Sequence, residues 1–376
     1  MKRNILLSMA TFTIALGSSA FAGPAPAAAA EKGKEADQGH ARRQLAGLYA
    51  VPKFVAAGPS FDARKVMAGK SILSIPGPSN DPWYEHVLEG MQGAATAVGY
   101  KFTFVPNQGQ LPQYRQGLAS AVTAKPSLVD LLAGPDPRAL KPEIDAVKAA
   151  GIKVAVSHDF GREDVVPNVD YNLWVDYNLA GRLLADWVIT KDTKAHVLVL
   201  VSDEIASADA TRKGISSEFD HYGGPHIQYK FTNVPIAQWE TGIAPAVKAA
   251  IAADPKLTYV VCIYDSMAKF IAPAVAEAKA EGKVKVIGFN GSPLALDLIR
   301  AGKMEMDLGE SLAWAGYAIA DAEMRILDGK GAVKSMNIPF RIFTKDNAAD
   351  AGVPATFDKG YGDTFKSEYA KLWKLQ

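Results

Sequence analysis

Catalysis would require a nucleophile, an acid–base pair or a metal-ligand set, and the chain is poor in all three. Gly291-Ser292-Pro293 lacks the pattern of the GxSxG elbow that lifts a serine hydroxyl out of a turn. His158 and Asp159 adjoin, but neighbours in extended chain point to opposite sides, which makes them a poor dyad. The single cysteine, Cys262, excludes an intramolecular disulfide and a cysteine zinc site. It sits in the apolar run Tyr-Val-Val-Cys-Ile, where a buried inert thiol is expected. The six histidines contain no HExxH pair, and His221 and His226 flank a short loop without a third ligand. The expectation is therefore no enzyme, no metal and no cofactor. What remains for chemistry is ligand binding by residues at the ends of regular elements.

Composition sets the frame for those elements. A chain of 376 residues with 48% hydrophobic residues can build two domains with real cores. Its 41 basic and 40 acidic residues nearly cancel, which argues against a nucleic-acid partner. Lys2 and Arg3, the apolar run Ile5 to Leu16 and the small-residue site Ala20-Phe21-Ala22 read as a cleavable secretory signal over residues 1–22. No cysteine follows it to carry a lipid, and no later stretch has the length of a membrane span. An exported soluble monomer is expected, periplasmic in a two-membrane bacterium. Residues 23–70, rich in Ala, Pro and Gly and then in charge, read as a partly flexible lead-in outside the core. Within them, Arg42 to Phe54 is either a helix or an extended arm.

From Ser71 onward, strands and helices alternate. Short β-type runs occur at Ser71–Ile75, Lys101–Val105, Leu128–Leu132 and Ile152–Ser157. Trp83, Val87, Met91, Ala94 and Val98 recur at helical spacing between the first two, with Asp81 placed to cap and Pro82 in the first turn. The scheme repeats with strands His196–Val201, His226–Phe231, Tyr259–Ile263 and Val284–Phe289, and a last long helix from Leu312 to Leu327. The strands are continuous apolar runs, as expected when helices cover both faces of a sheet. The fold expected is α/β: two Rossmann-like lobes with parallel sheets and a cleft between them. Ligands in such sheets bind beyond the carboxyl ends of the strands.

The loops at those ends resemble one family. Ser79-Asn-Asp-Pro-Trp-Tyr84, Ser157-His158-Asp159, Val175-Asp-Tyr-Asn-Leu-Ala-Gly181, Tyr264-Asp265 and Gly288-Phe-Asn-Gly291 follow the order seen in type I periplasmic binding proteins, especially the ribose/galactose-binding group of ABC importers. The resemblance covers Ser71 to Phe343. It implies a three-strand hinge, closure on a ligand, delivery to an ABC permease and no catalysis. It also implies a domain division, with residues 71–175 plus 310–337 forming the first lobe and 176–309 plus 338–376 the second.

Carried over position by position, the resemblance implies a ligand site of Asp81, Trp83, Tyr84, His158, Asp159, Thr211, Arg212, Trp239, Tyr264, Asn290 and Glu310. Trp83 and Tyr84 stand where the family has two phenylalanines, whose flat faces cover a sugar ring while polar neighbours take its hydroxyls. Trp83 also fits a core position, and Asp81 a simple cap. The family's Asp-Arg pair becomes His158-Asp159, its second-lobe Arg becomes Thr211 with Arg212 beside it, and a Gln becomes Glu310. Arg138, Arg162 and Arg212 are the candidates to compensate. Losing arginines disfavours a carboxylate or phosphate ligand. A neutral polyhydroxylated solute comes first, and an aromatic or cationic metabolite caged by Trp83, Tyr84, Trp239 and Tyr264 second. A sensor feeding a chemoreceptor or kinase, and an exported hydrolase, are the other readings. A two-lobed DNA-binding regulator is disfavoured because an export signal stands where its basic helix-turn-helix would be.

Overall fold

In the computed structural model residues 35–162 and 164–376 are described, so the signal expected at 1–22 lies outside the described residues. Two short helices come first, α1 (Gln38–Leu45) and α2 (Ala63–Met67). The first lobe then runs β1 (Ser71–Pro76), α3 (Pro82–Val98), β2 (Lys101–Phe104), α4 (Leu111–Ala124), β3 (Leu128–Leu132), α5 (Lys141–Ala149), β4 (Lys153–Ser157) and β5 (Tyr171–Leu173). The second runs α6 (Tyr177–Lys191), β6 (His196–Val201), α7 (Ser207–Tyr222), β7 (Gln228–Asn233), α8 (Trp239–Ala253), β8 (Leu257–Cys262), α9 (Ala268–Glu277), β9 (Lys285–Asn290), α10 (Pro293–Arg300) and β10 (Met306–Glu310). The chain ends with α11 (Leu312–Leu327), β11 (Phe340–Thr344) and α12 (Thr364–Leu372).

The strands form two sheets, ordered β2-β1-β3-β4-β5 and β11-β10-β9-β8-β6-β7. All neighbours pair in parallel except β10 with β11. Helices lie against both faces, so β3 is buried at every position and β6 at all but its first. Because the strands of each sheet run parallel, their carboxyl ends gather at one edge, where loops and helix starts collect. No helix among the described residues is long and apolar enough to cross a membrane.

Glycine governs two helix crossings. A Cβ on Gly90 of α3 would lie 2.4 Å from the Ala313 carbonyl oxygen, and one on Gly316 of α11 2.3 Å from that of Val87. The pair α6 and α7 does the same through Gly181 and Gly214, whose added Cβ atoms would meet the carbonyl oxygens of Thr211 and Asn178 at 2.2 and 2.1 Å. Backbones this close admit no side chain at the contact. These crossings fix α3 and α6, the helices whose first turns border the cleft.

Three segments link the lobes: Trp174–Asp176, the step from β10 to α11 at Ser311, and the stretch between α11 and β11. Two more cross beside them, and both depart from the sequence expectation. Of the expected lead-in 23–70, residues 23–34 lie outside the described residues, and residues 35–70 are an ordered strap packed on the core. α1 packs on α6 and α7, α2 packs on α11 and α3, and Ala41, Leu45, Phe61, Ala63 and Met67 are buried in the main core. Between them Leu48 accepts from the Ile342 amide, Tyr49 from Arg341 Nε at 3.2 Å, and Pro59 from Arg325 Nη1 at 2.9 Å. Charged composition suggested flexibility, yet the apolar residues are spaced to reach both lobes. The terminal helix α12 likewise belongs with α11, not with the second lobe to which 338–376 was assigned. Phe365 stacks on Trp314 at 4.9 Å between ring centroids, and Trp373 Nε1 donates to Asp321 at 2.7 Å.

Candidate ligand-binding site

The floor of the cleft is built where β4 and β10 end. His158 follows β4 with φ 59, in the left-handed region that few non-glycine residues adopt and that recurs at functional sites. Its amide donates to the Leu173 carbonyl on the neighbouring β5 end at 3.0 Å, which holds the turn. The ring is buried, with Nδ1 2.8 Å from the Tyr177 hydroxyl and Nε2 3.2 Å from Glu310 Oε2. Tyr177 also donates to the His158 carbonyl at 3.0 Å. His158 belongs to the first lobe, while Tyr177 opens α6 of the second and Glu310 stands at the hinge, so this triad joins the lobes at their base.

Charge at the floor follows from burial. Burial alone would lower the His158 pKa, but the Glu310 carboxylate opposes it, and the net effect is a pKa above the ordinary 6.5. Next to it Asp159 is 8% exposed, and burial raises its pKa to about 7, with His158 pulling down and Asp136 and Asp164 pushing up. Asp159 interacts electrostatically with Tyr84 and Tyr114 of the first lobe and Tyr177 and Tyr264 of the second. A carboxyl poised between two protonation states therefore faces hydroxyl-bearing rings from both sides. Neither oxygen of Glu310 meets a hydrogen-bond donor of good geometry. That acceptor capacity is what a ligand hydroxyl would use.

Aromatic rings wall the site. Trp83, half-buried, meets the His158 ring edge-to-face at 4.7 Å and Tyr84 at 4.9 Å. The Tyr84 hydroxyl donates to the Ala133 carbonyl at 3.0 Å, and burial raises its pKa. On the second lobe Trp239 stacks on Tyr264 with centroids 6.4 Å apart. Trp239 Nε1 donates to Ser202 Oγ at 2.8 Å, and the Tyr264 hydroxyl lies 2.9 Å from Ser207 Oγ. Tyr84, Trp239 and Tyr264 are thus held by their polar edges.

Other expected residues are engaged elsewhere. Asp81 is exposed and caps α3, accepting from the Trp83 amide at 2.8 Å. Thr211 is buried with its hydroxyl donated to the Ser207 carbonyl at 3.0 Å, one turn back on α7. Arg212 pairs with Asp203 and lies over the Phe231 ring at 4.5 Å. Arg138 pairs with Asp136, and Arg162 lies over the Trp174 ring at 5.8 Å. Asn290 ends β9 at φ 140, before Gly291 at φ 76, so it sits on a tight turn at the cleft edge of the second sheet.

That turn depends on two residues outside the expected set. The Gly291 amide donates to Asp307 at 2.7 Å and the Ser292 amide to Asp265 at 2.6 Å. Burial raises both acids, Asp265 to about 6, and the pair shares a hydrogen bond. Tyr177 is the other addition. It lies within the run 175–181 that carried the resemblance, but a tyrosine opening a helix has no signal of its own for reaching back to His158.

A family model described as "Periplasmic binding protein domain" matches residues 72–331. The D-allose-binding periplasmic protein of Escherichia coli (strain K12) is 31% identical over 112 residues, which is 30% of this chain and 35% of that protein. The chain thus spans about a third of the length of the curated relative it matches. Among solved structures, an ABC transporter solute-binding protein from Agrobacterium vitis, bound with α-D-tagatopyranose, superposes with TM-score 0.65 at 21% identity, covering 77% of this chain and 99% of that one. The Caulobacter myo-inositol binding protein, bound to myo-inositol, gives TM-score 0.63 at 22% identity, covering 76% and 97%. At such identities these structures speak for the two-lobed fold. Together with a family match over most of the chain, they lead to one assignment: this protein belongs to the periplasmic binding protein family.

Proposed function

We propose that the chain is the exported, periplasmic solute-binding component of an ABC importer, taking a small neutral polyhydroxylated solute between its lobes. The observation that carries this reading is the combination of buried acceptors, Asp159 and Glu310, with aromatic rings on both walls. A sugar or cyclic polyol presents hydroxyl donors around its rim and an apolar face of C–H groups, which fits acceptors at the floor and rings at the sides. The arginines that would clamp an anion are spent locally, Arg212 on Asp203 and Arg138 on Asp136. Relatives named for D-allose, myo-inositol and tagatopyranose fall in the same chemical class. The mechanism is closure about the hinge, with the closed state selected by a ligand that touches both lobes. The protein acts without turnover, as a monomer, and hands the solute to a membrane permease.

A thermal-shift panel of aldoses, ketoses and cyclitols, followed by calorimetry on any hit, tests this. A true ligand at a hundred times its Kd adds about 2.7 kcal/mol of stability. A panel with no hit, or turnover of the hit, rejects the reading. A second reading rests on Asp159: a carboxylate near Tyr84 and Tyr264 also suits an aromatic or cationic metabolite. Amines added to the same panel separate the two.

A further inference from the structure

The sequence offered no metal site, because its histidines lack ligand spacing along the chain. Folding supplies a set from three different helices. His40 on α1, Asp186 on α6 and Glu218 on α7 each offer one ligand atom, all within 4.8 Å of one another. We propose that these three side chains form a binding site for a first-row divalent cation of the Zn2+ kind, which pins the N-terminal strap to the second lobe.

The arrangement is built rather than incidental. Asp186 is fully buried, and neither of its carboxylate oxygens meets a hydrogen-bond donor. Glu218 is 2% exposed and receives His40 Nε2 at 2.7 Å. The imidazole is oriented by face-to-face stacking on Tyr222, with centroids 3.6 Å apart and planes 5° from parallel. α1 itself is anchored by the Asp37 amide on the Tyr222 carbonyl at 2.8 Å and by Gln38 Nε2 on the Ile189 and Thr190 carbonyls at 3.1 and 3.2 Å. Two carboxylates side by side in a buried setting repel unless something positive lies between them. Arg182, one turn earlier on α6, attracts Asp186 through space. No hydrogen bond from Arg182 reaches Asp186.

The donor set selects the ion class. One imidazole and two carboxylates match Zn2+ and its neighbours, and the two negative charges balance a dication. Ca2+ and Mg2+ prefer oxygen-only shells of six or more ligands. Tetrahedral ligands about 2.1 Å from a common ion lie about 3.4 Å apart. Entry of the ion therefore asks the His40–Glu218 contact to open by a fraction of an ångström and Asp186 to draw in, with water as fourth ligand. The site also spans chain that the family match, beginning at residue 72, leaves out.

The test uses tag-free protein stripped with EDTA and titrated with Zn2+ at pH 7.5 by calorimetry and thermal melting. One equivalent should bind, with a rise in Tm. Asp186→Asn, which keeps shape and relieves the buried charge, and His40→Ala should each weaken binding at least a hundredfold while the protein still melts cooperatively. Two results overturn the proposal: no stoichiometric uptake at tenfold excess, which leaves a proton-sharing carboxyl pair only, or uptake that both variants retain.

Discussion

Replacing Glu310 by Gln tests the electrostatics of the cleft floor without altering its shape. Glu310 and His158 are both 2% exposed, and their charged atoms lie 3.2 Å apart. At an effective dielectric near 20, that separation gives an attraction of about 5 kcal/mol. Part of it is consumed in keeping an imidazolium out of water, and the remainder raises the His158 pKa above 6.5. In Glu310→Gln burial is opposed only by a backbone hydrogen bond and the Asp159 charge, so the His158 pKa should fall. The stability consequence has a definite sign. A raised histidine pKa stabilises the fold fully below the unfolded value of 6.5, and the gain fades as pH rises through the folded value. The variant should therefore be less stable than the parent at pH 5.5, by some part of that attraction of about 5 kcal/mol. By pH 9 the gap should close or reverse, because the parent then holds a buried carboxylate against a neutral ring. Urea denaturation across pH 5 to 9, with the His158 Cε1–H resonance followed by NMR, reads both effects. A pH-independent gap, or a parent His158 that titrates below 6.5, would refute the reasoning.

Three further outcomes are expected. With Asp159 at a pKa of about 7, a ligand whose hydroxyls donate to it should bind more tightly at pH 8 than at pH 6, and Asp159→Asn should flatten that profile in calorimetry; a profile unchanged by the substitution counts against a direct contact. Arg325→Ala removes a buried guanidinium that donates to Asp321 Oδ2 at 2.8 Å and to Pro59 in the strap at 2.9 Å. Leaving the Asp321 charge with only the Trp373 hydrogen bond should cost about 3–5 kcal/mol in urea unfolding, and a loss under about 1 would show that the strap is not held this way. Gly214→Ala would set a Cβ 2.1 Å from the Asn178 carbonyl, and the forced separation of α6 and α7 should cost about 1–3 kcal/mol by the same assay.

The parts of the fold legible in sequence are those where local chemistry and burial agree. β3, β6 and α11 fall at the expected residues because each is a continuous apolar run or a clean helical stripe. β10 and β11 escape such a reading. β10 reads Met-Asp-Leu-Gly-Glu, with two buried acids and a glycine, and β11 carries Arg341, buried beneath the strap. Their place in the sheet follows from partners far along the chain, which periodicity cannot show. The strap is hard to read for the same reason: its few apolar residues are too sparse to mark an element, yet Ala41, Leu45, Phe61, Ala63 and Met67 find a core built by others.

The candidate site divides along a similar line. Loops after strands are short, so His158, Asp159, Trp83, Tyr84, Trp239, Tyr264 and Glu310 lie near the carboxyl ends of the strands. Where the expectation loosened, the cause was a closer partner. A threonine on a helix returns its hydroxyl to the carbonyl four residues back, as Thr211 does to Ser207, and an arginine beside an aspartate pairs with it before it reaches a cleft. Local hydrogen bonds of this kind form without closing a long loop and so win over long-range ones. The residues that meet between the lobes are those whose local options are exhausted or absent. Glu310 ends a strand with no donor nearby except a histidine from the other lobe, and His158 is held in a left-handed turn that aims its ring at the hinge. A strained backbone and an unsatisfied buried carboxylate, brought together from residues 152 apart in the chain, are costs that folding alone does not require. A ligand that donates hydroxyls to that carboxylate would offset one of them on binding.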